Sequence, residues 1–193
     1  MGADGGMYSG AWRTIPESNF INWPDYRGET ELREVARRIT EEHNIADGDT
    51  IIGSSLGGMV ACEVAALIRP KNLILVGGVS HPDEINGLLK LMHPLASLAP
   101  FEFLQRLSGG VPGELARMLT RVDAEFVRAM CLAVFHWGGL GSDVLRPVRI
   151  HGGCDLVVPL PDDVDRIVPE AGHLIAMTHA DECVEWLRCI GKV

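Results

Sequence analysis

The sequence lacks the features that would direct it to a membrane, a secretory route or a nucleic acid. No apolar run approaches the ~20 residues of a membrane span, and the first residues lack the basic and apolar regions of a signal peptide. We therefore expect a cytoplasmic protein with no membrane partner. Acidic residues outnumber basic ones by 26 to 17, and the basic cluster around Arg33, Arg37 and Arg38 is interleaved with glutamates. That pattern is typical of a solvated helix face and argues against a nucleic-acid partner.

Cysteine is sparse and unpatterned. The five cysteines are an odd number, and none stands in a CxxC spacing or beside a histidine pattern that would complete a zinc site. A disulfide framework and a metal site are therefore both poor interpretations, and we expect most of these side chains to be small core residues. Nothing in the sequence calls for a metal or an organic cofactor.

What remains is the composition of one ordinary globular domain. The 193 residues are 47% hydrophobic and 22% charged, so the chain can bury a substantial core and is too apolar to be disordered. Buried-strand runs at 50–52 and 72–76 alternate with helical segments at 32–39 and 56–68. This alternation predicts an α/β fold whose mostly parallel sheet is flanked by helices.

The pattern changes between residues 81 and 140, where helical pieces rich in Leu, Met and Ala are broken by Pro and Gly. We interpret this stretch as a helical insertion in a single domain that spans residues 1–193. Strand character returns at 148–150 and 166–168, and a last helix follows. We expect this helix to start at a capping pair formed by Thr178 and Asp181. We expect its buried side to hold Cys183, Trp186, Leu187 and Ile190. Thr30 is the N-cap that we predict for the first helix.

The most specific short motif is Gly53-Ser54-Ser55-Leu56-Gly57, which fits G-x-S-x-G and stands between a buried strand and a helix. The glycines permit a turn so sharp that Ser55 adopts strained backbone angles, and we expect no room for a side chain at Gly53 or Gly57. Ser54 is interpreted as a turn residue. The N–H of Leu56, at the helix start, can donate to a developing oxyanion. A glycine-rich turn with exposed serines is the alternative.

A nucleophilic serine needs a base that is oriented by a carboxylate. Asp155 follows the strand at 148–151, and His173 follows the next strand. Parallel strands bring their carboxyl ends to one edge of the sheet, so both side chains are predicted to lie near Ser55. The order Ser, Asp, His is that of a known class of hydrolases. Asp83, which also follows a strand, is the rival acid.

The other histidines have simpler interpretations. His151 belongs to the segment that leads to Asp155 and is interpreted as structural. Two more lie on or beside helices and are expected to face solvent, namely His43 and His179. Three fall in the insertion, where surface and pocket-lining positions both stay open, namely His81, His93 and His136.

Taken together, these residues resemble the α/β-hydrolases, a serine esterase-like family, over nearly the whole chain. Residues 149–159 resemble the acid loop of that family, and Gly172-His173 resembles its histidine loop. The resemblance implies Ser55 as nucleophile, His173 as general base and acid, and Asp155 as the orienting acid. It also implies that residues 81–140 form a helical cap and that no cofactor is required.

The N-terminus departs from the family pattern. The opening residues resemble those that follow the turn after the central strand of the family, so we expect that strand to be missing from this N-terminally shortened fold, with Met1 as the second oxyanion donor. An earlier start, a shifted strand near Phe20, or a strand donated by another molecule would fill the slot. The spacing from Asp155 to His173, 173 − 155 = 18, predicts an irregular loop between their strands.

The function that we expect is hydrolysis of a small or medium-sized ester or thioester through an acyl-Ser55 intermediate. Apolar residues of the insertion, including Met92 and Trp137, suggest an acyl pocket, although such spacing is more often plain core. Two alternatives stay open, a non-catalytic or truncated hydrolase-fold binding protein and an acyltransferase or lyase with the same three residues. The expected partner is a small-molecule acyl substrate, and the oligomeric state is unknown.

Overall fold

The computed structural model describes residues 5–85 and 123–193. Four strands lie in these ranges, β1 Thr50–Ser54, β2 Asn72–Val76, β3 Val148–Gly152 and β4 Arg166–Val168. The α-helices there are α1 Leu32–Glu42, α2 Leu56–Leu67, α3 Ala124–His136, α4 Ile175–Thr178 and α5 Ala180–Cys189. Short 3-10 segments are formed by Gly5–Met7, Gly10–Thr14 and Pro82–Glu84.

The strands form one parallel sheet in the order β1-β2-β3-β4. The central strand β2 is buried over its whole length, as its continuous apolar run Asn-Leu-Ile-Leu-Val predicts for a strand covered on both faces. All four carboxyl ends therefore lie at the same edge of the sheet. The predicted α/β architecture, a parallel sheet flanked by helices, is confirmed.

The side chains of β2 alternate between two hydrophobic clusters, because successive residues of a strand point to opposite faces. Leu73 and Leu75 join the cluster that also holds the buried faces of α1, α2 and α3, which we call the α1–α2 cluster. Ile74 and Val76 join the cluster formed with the N-terminal 3-10 segments, α4 and α5, which we call the α4–α5 cluster. Within the described ranges, each helix is too short or too polar to cross a membrane.

A shifted strand near Phe20, one of the three ways considered for filling the slot of the missing strand, is not formed, since residues 19–22 form neither a strand nor a helix. Their side chains still alternate: Phe20 packs in the α4–α5 cluster, whereas Ile21 packs in the α1–α2 cluster. The segment is held by side-chain packing and by contacts such as the bond from the Gly5 N–H to Asn22 Oδ1, 3.0 Å. Packing of side chains on both clusters therefore does not by itself bring the backbone into the sheet.

Two predicted helix caps are also wrong. Helix α1 begins after Glu31, whose side chain forms a capping box with Glu34, so the N-cap lies one residue beyond Thr30. Helix α5 has His179 as its N-cap with no side-chain cap bond, because Thr178 already belongs to α4. The buried side of α5 includes Cys183 and Leu187 as expected, whereas Ile190 lies past the helix end and is 40% exposed.

The predicted insertion is described only at its two ends. Residues 82–84 and helix α3 are helical, and residues 86–122, which include Met92, lie outside the described ranges. The two ends meet, because the Leu140 N–H donates to the Ser80 carbonyl at 2.8 Å. The cap at 81–140 therefore stays a prediction.

A buried arginine ties the start of this insertion to β3. Arg149 is 1% exposed, and its guanidinium forms ion pairs with Glu84 and Asp163. It also donates to Ser80 Oγ at 3.3 Å. A guanidinium removed from water needs such partners, because an unpaired buried charge costs several kcal/mol. The Glu84 side chain is 19% exposed, whereas that of Asp163 is 53% exposed.

We expect Glu84→Ala to lower the free energy of unfolding by about 3 kcal/mol, because it leaves the buried Arg149 charge without its more buried partner. Asp163→Ala is the matched control, which removes a more exposed carboxylate from the same guanidinium and is expected to cost less than about 1 kcal/mol. Urea unfolding of both variants measures the difference. Equal losses in the two variants would contradict the assignment of Glu84 as the main counter-ion.

Candidate active site

Ser55 occupies the sharp turn between β1 and α2. Its backbone has φ 52° and ψ −124°, a conformation that side-chain-bearing residues rarely adopt. Gly53 makes the turn possible, because a Cβ there would lie 2.3 Å from the Gly57 carbonyl oxygen. The corresponding prediction for Gly57 is wrong, since a Cβ at that position would meet nothing within 4 Å. Of the two glycines, only Gly53 is required by the close approach of the α2 backbone.

The Ser55 hydroxyl meets the His173 imidazole across the carboxyl edge of the sheet. Ser55 Oγ lies 2.9 Å from His173 Nε2, and His173 Nδ1 lies 2.9 Å from Asp155 Oδ2. His173 follows β4, and its side chain is 11% exposed. The structure therefore brings Ser55, His173 and Asp155 into one hydrogen-bonded chain.

The Asp155 carboxylate is fully shielded from solvent, and both of its oxygens accept hydrogen bonds. Its side chain is 0% exposed, and Oδ1 accepts the N–H groups of Val157 and Val158 at 2.8 and 2.9 Å. Burial alone would raise the pKa of Asp155, but the hydrogen bond and charge of His173, with the two backbone N–H groups, outweigh it. The pKa of Asp155 therefore lies below its ordinary value, and the group is ionised at neutral pH.

Backbone bonds between the two loops fix Asp155 relative to His173. The Gly153 N–H donates to the Val168 carbonyl and the Cys154 N–H to the Ala171 carbonyl, both at 2.9 Å. Residues 153–165 have no regular helix or strand, as the short spacing predicts. These hydrogen bonds join the irregular loop after β3 to the loop after β4, and the Asp155 and His173 side chains on these loops face each other.

The start of α2 supplies a donor beside the serine. Leu56 is the first residue of α2, so its N–H is among those that have no acceptor within the helix. Next to the turn, the Ser54 backbone hydrogen-bonds the Tyr8 hydroxyl, and burial of that hydroxyl raises the pKa of Tyr8. Ser54 Oγ is buried and has no hydrogen-bond partner among the described residues. Chemically, the hydrogen-bonded Ser55, His173 and Asp155 side chains can activate a hydroxyl. The Leu56 N–H can stabilise a negatively charged oxygen beside it.

Among the described residues, Trp137 and Asp83 are not part of this group. Trp137 is 6% exposed and lies in the α1–α2 cluster, where its indole N–H donates to Glu63 Oε1 at 2.8 Å. Asp83, the rival acid, lies on the 3-10 segment Pro82–Glu84, and it is Asp155 that bonds His173. Met1 and Met92 lie outside the described residues.

Sequence reasoning missed one neighbour of the carboxylate. His151 Nε2 lies 3.0 Å from the Val158 carbonyl oxygen and 3.4 Å from Asp155 Oδ2. The signal was its position four residues before Asp155, on a strand that ends at the same edge. In the part of the chain that the structure describes, no group of three or more His, Cys, Asp or Glu side chains is arranged to hold a metal ion.

Solved structures of similar fold include three enzymes. An esterase from Thermogutta terrifontis is 17% identical with a TM-score of 0.74, over 97% of this chain and 86% of that chain. An N-acyl homoserine lactone degrading enzyme is 17% identical with a TM-score of 0.69, over 98% and 89%. A thioesterase of the prodiginine pathway of Streptomyces coelicolor is 18% identical with a TM-score of 0.68, over 96% and 85%. These likenesses establish the fold. No curated protein matches the chain.

The family comparison extends over most of the sequence. The Alpha/beta hydrolase family matches residues 8–186, a range that contains the sharp turn at Ser55, the loop of Asp155 and the loop of His173. The parallel sheet and the sequence order of those three residues agree with the resemblance noted from the motifs alone. The chain belongs to the alpha/beta hydrolase family.

Proposed function

We propose that this protein is a serine hydrolase that cleaves a small or medium-sized carboxylic ester or thioester through an acyl-Ser55 intermediate. The observation that carries the proposal is the chain of two 2.9 Å contacts, from Ser55 Oγ to His173 and from His173 to Asp155. Geometry of this kind permits transfer of the serine proton as the hydroxyl attacks a carbonyl carbon. The esterase and thioesterase among the structural neighbours agree with this choice.

In the first half-reaction, Ser55 Oγ forms a bond to the substrate carbonyl carbon while its proton passes to His173 Nε2. The tetrahedral intermediate carries a negative oxygen, which the Leu56 N–H at the start of α2 stabilises. The intermediate collapses with loss of the alcohol or thiol, and His173 returns the proton to that leaving group. The products of this step are acyl-Ser55 and the free alcohol or thiol.

In the second half-reaction, His173 takes a proton from water, whose oxygen attacks the acyl carbon. Collapse of the second intermediate breaks the bond to Ser55 Oγ, which regains its proton from His173, and the carboxylic acid leaves. Asp155 accepts a hydrogen bond from the Nδ1–H of His173 throughout. This bond holds the tautomer that keeps Nε2 available and stabilises the imidazolium. Its lowered pKa means that Asp155 remains a charged partner at neutral pH.

Several finer roles stay predictions from the sequence. Met1 as a second oxyanion donor and Met92 as a pocket residue are two of them. Trp137 can serve an acyl pocket only through its ring, because its N–H is engaged with Glu63. A cytoplasmic location and a small-molecule partner are predicted in the same way. Acyl transfer shares the acyl-Ser55 intermediate and differs only in the acceptor, an alcohol or thiol instead of water.

We expect a fluorophosphonate probe to form one covalent adduct on the protein, at Ser55, with loss of fluoride. Ser55→Ala is expected to abolish both the adduct and turnover of p-nitrophenyl acetate or butyrate, because the attacking oxygen is gone. Ser54→Ala is the matched control, since its buried hydroxyl has no partner among the described residues and is not aligned with His173. Intact mass and ester release measure the outcome. Adduct formation by the folded Ser55→Ala protein would refute the assignment.

We expect Asp155→Asn to reduce kcat by about 10⁴-fold, the loss known when this acid is neutralised in serine proteases, with a much smaller change in KM. The amide can donate to Nδ1 and thereby favour the wrong imidazole tautomer. Asp162→Asn, a change in the same loop, is the control and should retain activity. Steady-state kinetics on the same esters measure both. Activity of the Asp155→Asn variant within about tenfold of the parent would exclude Asp155 as the orienting acid.

Adding alcohol or thiol acceptors to the same assay distinguishes hydrolysis from acyl transfer. For a hydrolase, we expect free carboxylic acid to remain the main product at millimolar acceptor, because water reaches acyl-Ser55 directly. Chromatography of the acyl products provides the measurement. A new ester or thioester as the main product would identify a transferase that uses the same serine.

A further inference from the structure

Two imidazoles approach the same oxygen of the buried carboxylate. His173 Nδ1 lies 2.9 Å from Asp155 Oδ2, and His151 Nε2 lies 3.4 Å from that same atom. The other carboxylate oxygen accepts the N–H groups of Val157 and Val158. Both oxygens of the carboxylate are therefore met by donors, and His151 is the one whose part in the reaction has not been assigned.

The hydrogen on the His151 ring can be assigned from its neighbours. Nε2 lies 3.0 Å from the Val158 carbonyl oxygen, and a carbonyl can only accept, so Nε2 carries a hydrogen. That N–H donates to the Val158 carbonyl. Asp155 Oδ2 lies 3.4 Å from the same Nε2 and is an electrostatic neighbour of this N–H. Burial holds the pKa of His151 below its ordinary value, against the opposing effects of the Val158 carbonyl and Asp155. Arg149 and His173, the other charged or titratable groups that act on the ring, also disfavour its cation.

The two ends of this contact differ in how firmly they are held. His151 is 1% exposed and belongs to β3, where it stands opposite Ile167 of β4 in the parallel ladder. Asp155 and Val158 belong to the irregular loop that follows. A side chain on a strand is a more rigid reference point than any residue of that loop, so the imidazole can fix where the loop places its carboxylate.

We propose that His151 is a positioning residue: its Nε2–H holds the Val158 carbonyl, Val158 in turn donates its N–H to Asp155 Oδ1, and the same Nε2–H lies close to Oδ2. These contacts hold the carboxylate in the orientation that His173 requires. This inference rests on the proposed serine hydrolase function. It assigns His151 no contact with substrate, because the ring is buried and its Nε2 hydrogen is already donated to the Val158 carbonyl.

Two substitutions separate the N–H from the bulk of the ring. His151→Phe keeps a flat ring of similar size and removes the donor. His151→Gln keeps an N–H group at about the distance of Nε2 from the backbone. We expect His151→Phe to slow fluorophosphonate labelling and lower kcat by about 10- to 100-fold with little change in KM, the scale of effect of a ~1 Å misplacement. His151→Gln should recover most of that loss.

The pH profile gives a readout that a purely structural histidine would not change. A carboxylate that loses the nearby N–H dipole of His151 attracts the proton on His173 more strongly. The acid limb of kcat/KM should therefore move to higher pH in His151→Phe, by about half a pH unit, and return in His151→Gln. If His151→Phe is unfolded by circular dichroism, His151→Asn takes its place, because its shorter amide cannot reach the Nε2 position.

The outcomes separate this inference from the proposed function. An unlabelled parent would overturn the function itself. A parent that labels at Ser55, with a donor-free variant that matches it in rate and acid limb, would overturn only the role of His151. Equal losses in the donor-free and Gln variants, with an unmoved acid limb, would likewise mean that His151 acts as packing. Loss in the donor-free variant, recovery in Gln and a shifted limb would support the proposal.

Discussion

The strained backbone at Ser55 is the constraint on which the geometry of the site depends. The positive φ of this residue turns the chain from the end of β1 directly into α2, and only a glycine at position 53 allows the helix backbone to come so close. The same turn performs two tasks at once, because it projects the hydroxyl beyond the sheet edge and places the first free N–H of α2 beside it. A relaxed serine on a longer loop would separate the Ser55 hydroxyl from the Leu56 N–H, two groups that the proposed mechanism needs side by side.

A buried charge is the second constraint, and it explains why the loop after β3 can be irregular and still precise. An ionised carboxylate with no solvent exposure is costly unless its oxygens are supplied with donors. Asp155 accepts hydrogen bonds from the N–H groups of Val157, Val158 and His173, and the His151 N–H lies close by, with Nε2 at 3.4 Å. The loop therefore has a hydrogen-bonding reason to wrap around that side chain. Bonds from this loop to the backbone after β4 extend the same order to His173. Satisfying the carboxylate and orienting the imidazole are thus one structural solution.

The sequence was sufficient for the sheet and the three polar groups, but not for details that depend on competing contacts. Continuous apolar runs identify β1 and β2, and parallel strands must bring Ser55, Asp155 and His173 to one edge, so these predictions follow from local pattern and topology. The short apolar segment at Phe20 forms no ladder, because its side chains pack on the two clusters without backbone pairing. Likewise, the N-cap of α1 is Glu31 and not Thr30, because Glu31 and Glu34 each accept a hydrogen bond from the other's backbone N–H. The contact of His151 with Asp155 depends on how an irregular loop folds back, which periodicity does not encode.

The candidate active-site residues and the predicted insertion come from different parts of the chain, but both are connected to β3. Ser55, Asp155 and His173 follow β1, β3 and β4, whereas the insertion leaves the sheet after β2, so none of the three side chains belongs to it. The buried Arg149 of β3 nevertheless pairs with Glu84 at the start of the insertion, two positions along the strand from His151. None of the three side chains belongs to residues 86–122, whereas changes at Glu84 act on Arg149 and so on the strand that precedes Asp155. Diversity in substrate among proteins of one fold fits this division, because a rigid sheet holds the reacting groups and connecting segments vary around it.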